Sequence, residues 1–248
     1  MDFALAAVVF VPGLAIGSFL NVVAARVPRK RSIVRPASAC MSCGHELSWT
    51  ENIPVLSWLV QGGKCRNCGV GIGIVYPVVE LVTALLIAGC FVAFGWSGTA
   101  FVASFYCAVL VTVSATDLSH RIVPNVVVLP AAAIVLVAMT ALHPSPEWAL
   151  GAFGASFFLF LAALAYPKGM GMGDVKLALL LGAMLGRTVP VALMVGMVAA
   201  LVPSFVLFAR HGQAARKMGI PFAPFLAVGG VVALFWGEEL LDVYLSSF

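Results

Sequence analysis

Eight apolar runs dominate this sequence, at about residues 3–25, 76–96, 99–116, 125–142, 148–166, 175–186, 189–209 and 222–245. A helix that crosses a bilayer needs roughly 20 such residues, so most of these runs are long enough to span. The sixth is short and interrupted by glycine, so it is either a partial span or one that continues across Gly186. Charge is scarce: 10% of the 248 residues are charged and 62% are hydrophobic, with a mean hydropathy of +1.08. Soluble domains are about a quarter charged, and disordered chains lack the apolar residues that abound here. Both classes are excluded. Strand-type alternation is absent from the runs, so helices rather than a barrel must satisfy the backbone in lipid. The sequence predicts an all-α polytopic membrane protein with about eight transmembrane helices. The first run is read as a span rather than a removable signal. It starts almost at Met1, follows Asp2 rather than a basic residue, and exceeds a signal core of about 7–15 residues.

Orientation follows from the basic residues. The loop between the first two runs holds Arg26, Arg29, Lys30, Arg31, Arg35, Lys64 and Arg66. With eight helices, Arg121, Lys168, Lys176, Arg210, Arg216 and Lys217 fall on that same side, and Arg187 alone lies opposite. Loops rich in Lys and Arg stay in the cytoplasm, so this side is expected to be cytoplasmic. Asp2, Glu147, Glu238, Glu239 and Asp242 fall on the other face, with both termini outside.

The one sizeable polar segment, about 26–75, contains Cys40-Met-Ser-Cys43 and Cys65-Arg-Asn-Cys68. Two such knuckles have the spacing of a four-thiolate zinc site, each pair gripping from a tight turn. Gly44 and Gly69, just after the second cysteine of each knuckle, suit that turn. Disulfides are the alternative, disfavoured by the reducing compartment assigned to this loop. A loop with so little apolar core would use zinc as a structural staple. Cys90 and Cys107 lie within apolar runs and are read as core residues.

Acidic residues at the ends of apolar helices are costly and mark candidate sites. Asp117 ends the third run, Asp174 opens the sixth, and Glu80 lies one turn into the second. The expected topology brings Asp117 and Asp174 to one depth at the cytoplasmic face. Two carboxylates at close range do not both ionise easily, so one can activate water while the other donates a proton. The pair would titrate as a unit, and neither role belongs to one residue. Gly169, Gly171 and Gly173 before Asp174 leave alternate positions bare, so an extended substrate backbone could approach. Asp174 could equally be an N-cap, and Asp117 a helix-end residue paired with Arg121. Glu80 and Lys176 are supporting candidates, Lys176 either pairing with Asp174 or marking the membrane boundary.

Taken in order, these residues resemble the type IV prepilin peptidases, membrane aspartic proteases of the GxGD type. The similarity covers nearly the whole chain. It begins with Gly17-Ser-Phe-Leu-Asn21, both cysteine pairs, Glu51-Asn-Ile-Pro-Val-Leu-Ser-Trp58 and Tyr76-Pro-Val-Val-Glu80. It resumes at Asp117 with Ile122-Val-Pro124-Asn125, at Gly171-Met-Gly173-Asp174-Val-Lys176, and at Ile220-Pro-Phe-Ala-Pro224. A lone GxGD is a weak signal; the ordered set is specific.

The resemblance implies an inner-membrane endopeptidase that removes the short basic leader of prepilins and pseudopilins, substrates of type IV pilus and protein-secretion machines. It would cut on the cytoplasmic side at a Gly-Phe type of junction. The catalytic aspartates map onto Asp117 and Asp174, and the zinc ligands onto Cys40, Cys43, Cys65 and Cys68. Many members also methylate the new N-terminus with S-adenosylmethionine, an activity associated with the cysteine-bearing region. The implied organisation is a first transmembrane helix (1–25), a cytoplasmic zinc-binding region (26–75) and membrane-embedded peptidase helices (76–248). The expected partners are the bilayer and leader-bearing substrates, with no nucleic acid. The chain departs from the family pattern at Val75, where members commonly carry Arg before the Tyr, and in the glycine-rich stretch before it. A proton or cation relay through Asp117, Asp174 and Glu80 is the rival class. Paired broken helices in corresponding halves would mark it, and no internal repeat relates 1–124 to 125–248. A scaffold whose zinc loop docks a partner would leave the two aspartates at one depth unexplained.

Overall fold

The apolar runs become helices because a backbone in lipid has no water to bond and must satisfy itself within the segment. The computed structural model describes residues 2–166, 170–212 and 220–247. Among these residues, eight main helices follow the eight runs: α1 (Asp2–Arg26), α3 (Val75–Phe94), α4 (Gly98–His120), α5 (Asn125–Leu142), α6 (Glu147–Ala165), α7 (Met172–Leu185), α8 (Val189–His211) and α9 (Ala223–Ser246). A short helix, α2 (Leu56–Val60), lies in the polar segment. No strand occurs among the described residues, only isolated bridges at Ala39–Glu46 and Lys64–Gly71. Among the described residues, seven stretches are long and apolar enough to cross a membrane, one of them the continuous Met172–Arg210. Within that stretch the helix does not continue across Gly186. A 3-10 turn, Gly186–Thr188, separates α7 from α8, and Gly186 has a φ of +52° that favours glycine. The chain is an all-α polytopic membrane protein.

The chain divides into two units, Met1–Ala115 and Thr116–Phe248. In the first, α1 packs along α3. A methyl group added at Gly17 would lie 2.6 Å from the Glu80 Cα, so bare glycine is what lets the two backbones approach. Apolar clusters fill the seam: Val9 with Ile87, Ala88 and Phe91 at one end, Leu20 and Ala24 with Val79 at the other. In the second unit α7 is the central element, packed against α5, α6 and α9. Gly182 of α7 meets the backbone of Gly151 in α6 so closely that no side chain fits at either position. Arg187 grips Glu238 with both ends of its guanidinium, Nε donating to Oε1 at 3.0 Å and Nη2 to Oε2.

Two expected boundaries move. Asp117 does not end its helix: α4 continues one turn further to His120, and the Arg121 N–H closes it on the Asp117 carbonyl. Asp174 is not an N-cap. Gly171 is the cap, in extended conformation, and Asp174 is the third helical residue. Gly169, Lys168, Arg216 and Lys217 lie outside the described residues.

Candidate active site and metal centre

In the second unit three separated motif stretches meet. Asp117 comes from the last turns of α4 and Asp174 from the first turn of α7, and both are buried. The Ala223 N–H, at the start of α9, donates to Asp117 Oδ2 at 3.2 Å. The Gly171 N–H is directed at the Asp174 carboxylate. The first turn of a helix favours a carboxylate because its N–H groups have no partners within the helix. The two aspartates lie within electrostatic reach of each other, so their protonation is linked.

The supporting residues divide differently from expectation. Lys176 does not pair with Asp174: its Nζ donates to Asn125 Oδ1 at 2.8 Å, tying α7 to the start of α5. The space beside Gly173 is filled by the chain itself, for a Cβ there would lie 2.7 Å from the Val123 Cβ. Gly171 is open, with Asp174 Oδ2 at 3.6 Å as the nearest side-chain atom to an added Cβ. Of the two described glycines, Gly171 alone leaves room for a second backbone.

Glu80 belongs to the first unit and holds the polar segment. Its Oε2 accepts the Val55 N–H at 2.7 Å. Val55 has a φ of +60° and a ψ of −51°, and the Leu56 N–H reaches the Pro54 carbonyl at 2.6 Å. That is the rare, strained γ-turn, adopted by a β-branched residue and clasped by a carboxylate from α3. Sequence reasoning missed it, and Pro54 was its only local signal. Nearby, Asn21 Nδ2 donates to the Tyr76 carbonyl at 3.0 Å and Trp58 Nε1 to the Ile72 carbonyl at 3.1 Å. These bonds tie the Gly17–Asn21, Glu51–Trp58 and Tyr76–Glu80 stretches together.

The cysteine knuckles repeat one design. The Cys40 N–H donates to the His45 carbonyl and the Gly44 N–H to the Cys40 carbonyl; Cys65 does the same with Val70, and Gly69 with Cys65. Gly44 and Gly69 have φ of +72° and +71°, the left-handed conformation that glycine adopts without strain. All four sulfurs lie within 4.8 Å of one another. Across the knuckles, Cys40 and Cys68 are 3.8 Å apart and Cys43 and Cys65 3.9 Å. A tetrahedral ion with metal–sulfur bonds of about 2.3 Å sets its ligands about 3.8 Å apart. The cluster is therefore able to hold a metal ion. N–H groups of Cys43 and Ser42 aimed at the Cys40 sulfur lower its pKa to about 6. At Cys68 the Val70 N–H pulls the same way, but burial and the neighbouring thiols raise it to about 11.

Glu51 stands beside this centre. Its Oε2 accepts the Ser48 N–H at 3.0 Å and the Ser48 hydroxyl at 2.8 Å, and faces His45 Nε2 at 3.3 Å. The Ser48 donors hold the carboxyl down to about 2. Its Oε1 is buried and has no partner among the described residues. A cavity of about 570 Å³ opens next to Glu51, between it and Lys64 and Arg66.

Comparison with known proteins identifies the family. The bacterial peptidase A24 N-terminal domain pattern matches residues 11–94, and that of the type IV leader peptidase family matches residues 104–209. The chain is 35% identical to the prepilin leader peptidase/N-methyltransferase of Bacillus subtilis, over 96% of this chain and 97% of that protein. It is 35% identical to the Pseudomonas aeruginosa protein of the same name (94% of this chain, 91% of that one). It is 36% identical to that of Xanthomonas campestris pv. campestris (94% and 92%). No solved structure matches the chain. With 35–36% identity over nearly the full length, the chain belongs to the type IV leader peptidase family.

Proposed function

We propose that this protein is an inner-membrane aspartic endopeptidase that removes the basic leader from type IV prepilins and pseudopilins, and that it methylates the new N-terminus. The observation that carries the reading is the convergence of Asp117, Asp174 and the start of α9 within one unit. With one proton between them, the ionised carboxylate takes a proton from water as that water attacks the scissile carbonyl. The protonated one donates to the carbonyl oxygen. Gly171, open on one side, leaves room for the extended substrate next to Asp174.

The four cysteines would hold a structural Zn²⁺, consistent with their sulfur spacing and with a closed thiolate set. The methyl donor would be S-adenosylmethionine, whose sulfonium supplies the methyl group. The cutting side is cytoplasmic in this reading, because a leader rich in Lys and Arg stays inside. The Arg187–Glu238 pair supports that topology, since both residues fall on the expected outer face. The segments act as a first membrane helix (1–25), a cytoplasmic zinc region (26–75) and peptidase helices (76–248), with both termini outside.

The test is the intact mass of a prepilin-like substrate with a basic leader and a Gly-Phe junction, after incubation with the purified protein with and without S-adenosylmethionine. Loss of the leader, and one added methyl group when the donor is present, is the expected result. An uncut substrate alongside folded, metal-loaded protein contradicts the reading.

A further inference from the structure

A groove of about 560 Å³ lies between α6 and the first turn of α7, wholly within the second unit. Phe153, Phe157 and Phe160 share one face of α6 and line it, all three exposed. Gly154 leaves a gap in that lining, with nothing within 4 Å of a Cβ added there. From α7 the groove is lined by Val175, the neighbour of Asp174 in the chain. Ser156 is the one polar side chain of the lining, and it is engaged: its Oγ donates to the Val175 carbonyl at 3.1 Å. With no charged group in the lining, a basic leader finds no partner here. The Ser156 bond also fixes depth, because it sets the middle of α6 level with the first turn of α7. From Ser156, α6 continues to Ala165, about 14 Å further at the helical rise. Leu161 and Leu164 on that extension are exposed, so in a membrane-spanning helix they face hydrocarbon. Asp174 therefore lies at a depth that lipid reaches. A chain cut at that depth must present an apolar segment, hydrogen-bonded within itself, on one side of the cut.

We propose that this groove is the docking site for the apolar helical segment of the substrate that adjoins the scissile bond. The inference rests on the peptidase half of the function proposed above and adds where the uncut chain is held. Continuity with the aspartate carries it. The residue that lines the groove from α7 is next to Asp174, so a helix lying against the three Phe side chains passes beside that carboxylate. A lipid acyl chain would meet the same aromatic wall but has no peptide bond to present to Asp174. Helices associate in lipid by van der Waals packing at small residues, and Gly154 is the bare position at which a second backbone can approach. The groove thus selects substrates by the segment that stays in the membrane, separately from the residues at the cut.

The experiment uses the full-length, metal-loaded protein in lipid vesicles. The substrate carries a basic leader, a Gly-Phe junction and an apolar segment of about 20 residues. Initial cleavage rates are measured against the mole fraction of substrate in the bilayer. Gly154→Leu puts a good helix former into the open gap. It should raise KM about tenfold with little change in kcat, the mark of a lost binding contact. Val137→Trp, on an exposed position of α5, should leave KM as in wild type. A second measurement does not depend on how well Gly154→Leu folds. Asp174→Asn protein, which holds the substrate uncut, carries p-benzoylphenylalanine at position 157 or at position 137. Light should join position 157 to the apolar segment of the substrate, and position 137 to lipid alone. Unchanged KM in folded Gly154→Leu, or crosslinks from position 157 to lipid alone, overturns the groove assignment even though wild type cuts its substrate. If wild type leaves the substrate uncut, the peptidase reading fails and the proposal with it.

Discussion

The Ala223 N–H donates to Asp117 Oδ2 across 106 positions of sequence. A backbone donor at the head of α9 thus orients one candidate catalytic carboxylate. Ala223 is fully buried, so a larger side chain there must push α9 or Asp117 aside. Ala223→Leu should cost about 1–3 kcal/mol of stability by overpacking, and about 10²-fold in kcat if Asp117 moves by an ångström. Unfolding temperature and kcat are read together. A lowered unfolding temperature with unchanged kcat would mean that α9 does not position the aspartate.

Gly171 and Gly173 should separate in opposite ways. Gly173→Ala drives a Cβ into Val123 and should lower stability by about 1–3 kcal/mol, with Val123→Gly restoring it. Gly171→Ala meets only ordinary contact, so its unfolding temperature should stay put while turnover falls, because the added methyl group narrows the path of the substrate backbone. Thermal unfolding in detergent and cleavage rates distinguish the two.

Metal binding should depend on pH with a definite sign. Cys40 sits at about 6 and Cys68 at about 11, with their sulfurs 3.8 Å apart. Between those values the two share one proton, and a metal must expel it to use both thiolates. Affinity should therefore rise with pH, by about tenfold or more per unit through the neutral range, and fall on acidification. Chelator competition at three pH values from 6.5 to 8.5 measures it, and a flat profile counts against this thiolate set. Cys40→Ser should lose metal and loop stability together.

The strained turn at Val55 predicts a stabilising substitution. Glycine tolerates that φ of +60°, so Val55→Gly should gain about 1–3 kcal/mol of the stored strain. Glu80→Ala, which removes the carboxylate clasping the Val55 N–H, should instead loosen residues 49–60. Limited proteolysis of that stretch reports both effects.

Much of the fold was readable because lipid imposes one rule along the whole chain. Each apolar run reappears as a helix within a few residues of its expected ends. The cysteine site was readable because ligand spacing and the two glycines are local. The boundaries at Asp117 and Asp174 moved for a physical reason: helical hydrogen bonding continues through polar residues such as Ser119 and His120, where hydropathy has already fallen. Lys176 with Asn125, Gly173 with Val123 and the Glu51 cavity are tertiary relationships, which neither periodicity nor spacing encodes. The Val55 turn is local, yet hydrophobic patterning carries no sign of backbone strain.

The most direct test of the central claim, that Asp117 and Asp174 act as one unit, is single-turnover cleavage by Asp117→Asn, Asp174→Asn and the double variant. Each must first be shown to be folded and metal-loaded. Groups that work as a unit are lost as a unit, so all three should fall to the same background rate. A single variant that keeps cleavage within about tenfold of wild type, or a double variant far below both singles, would contradict the shared site.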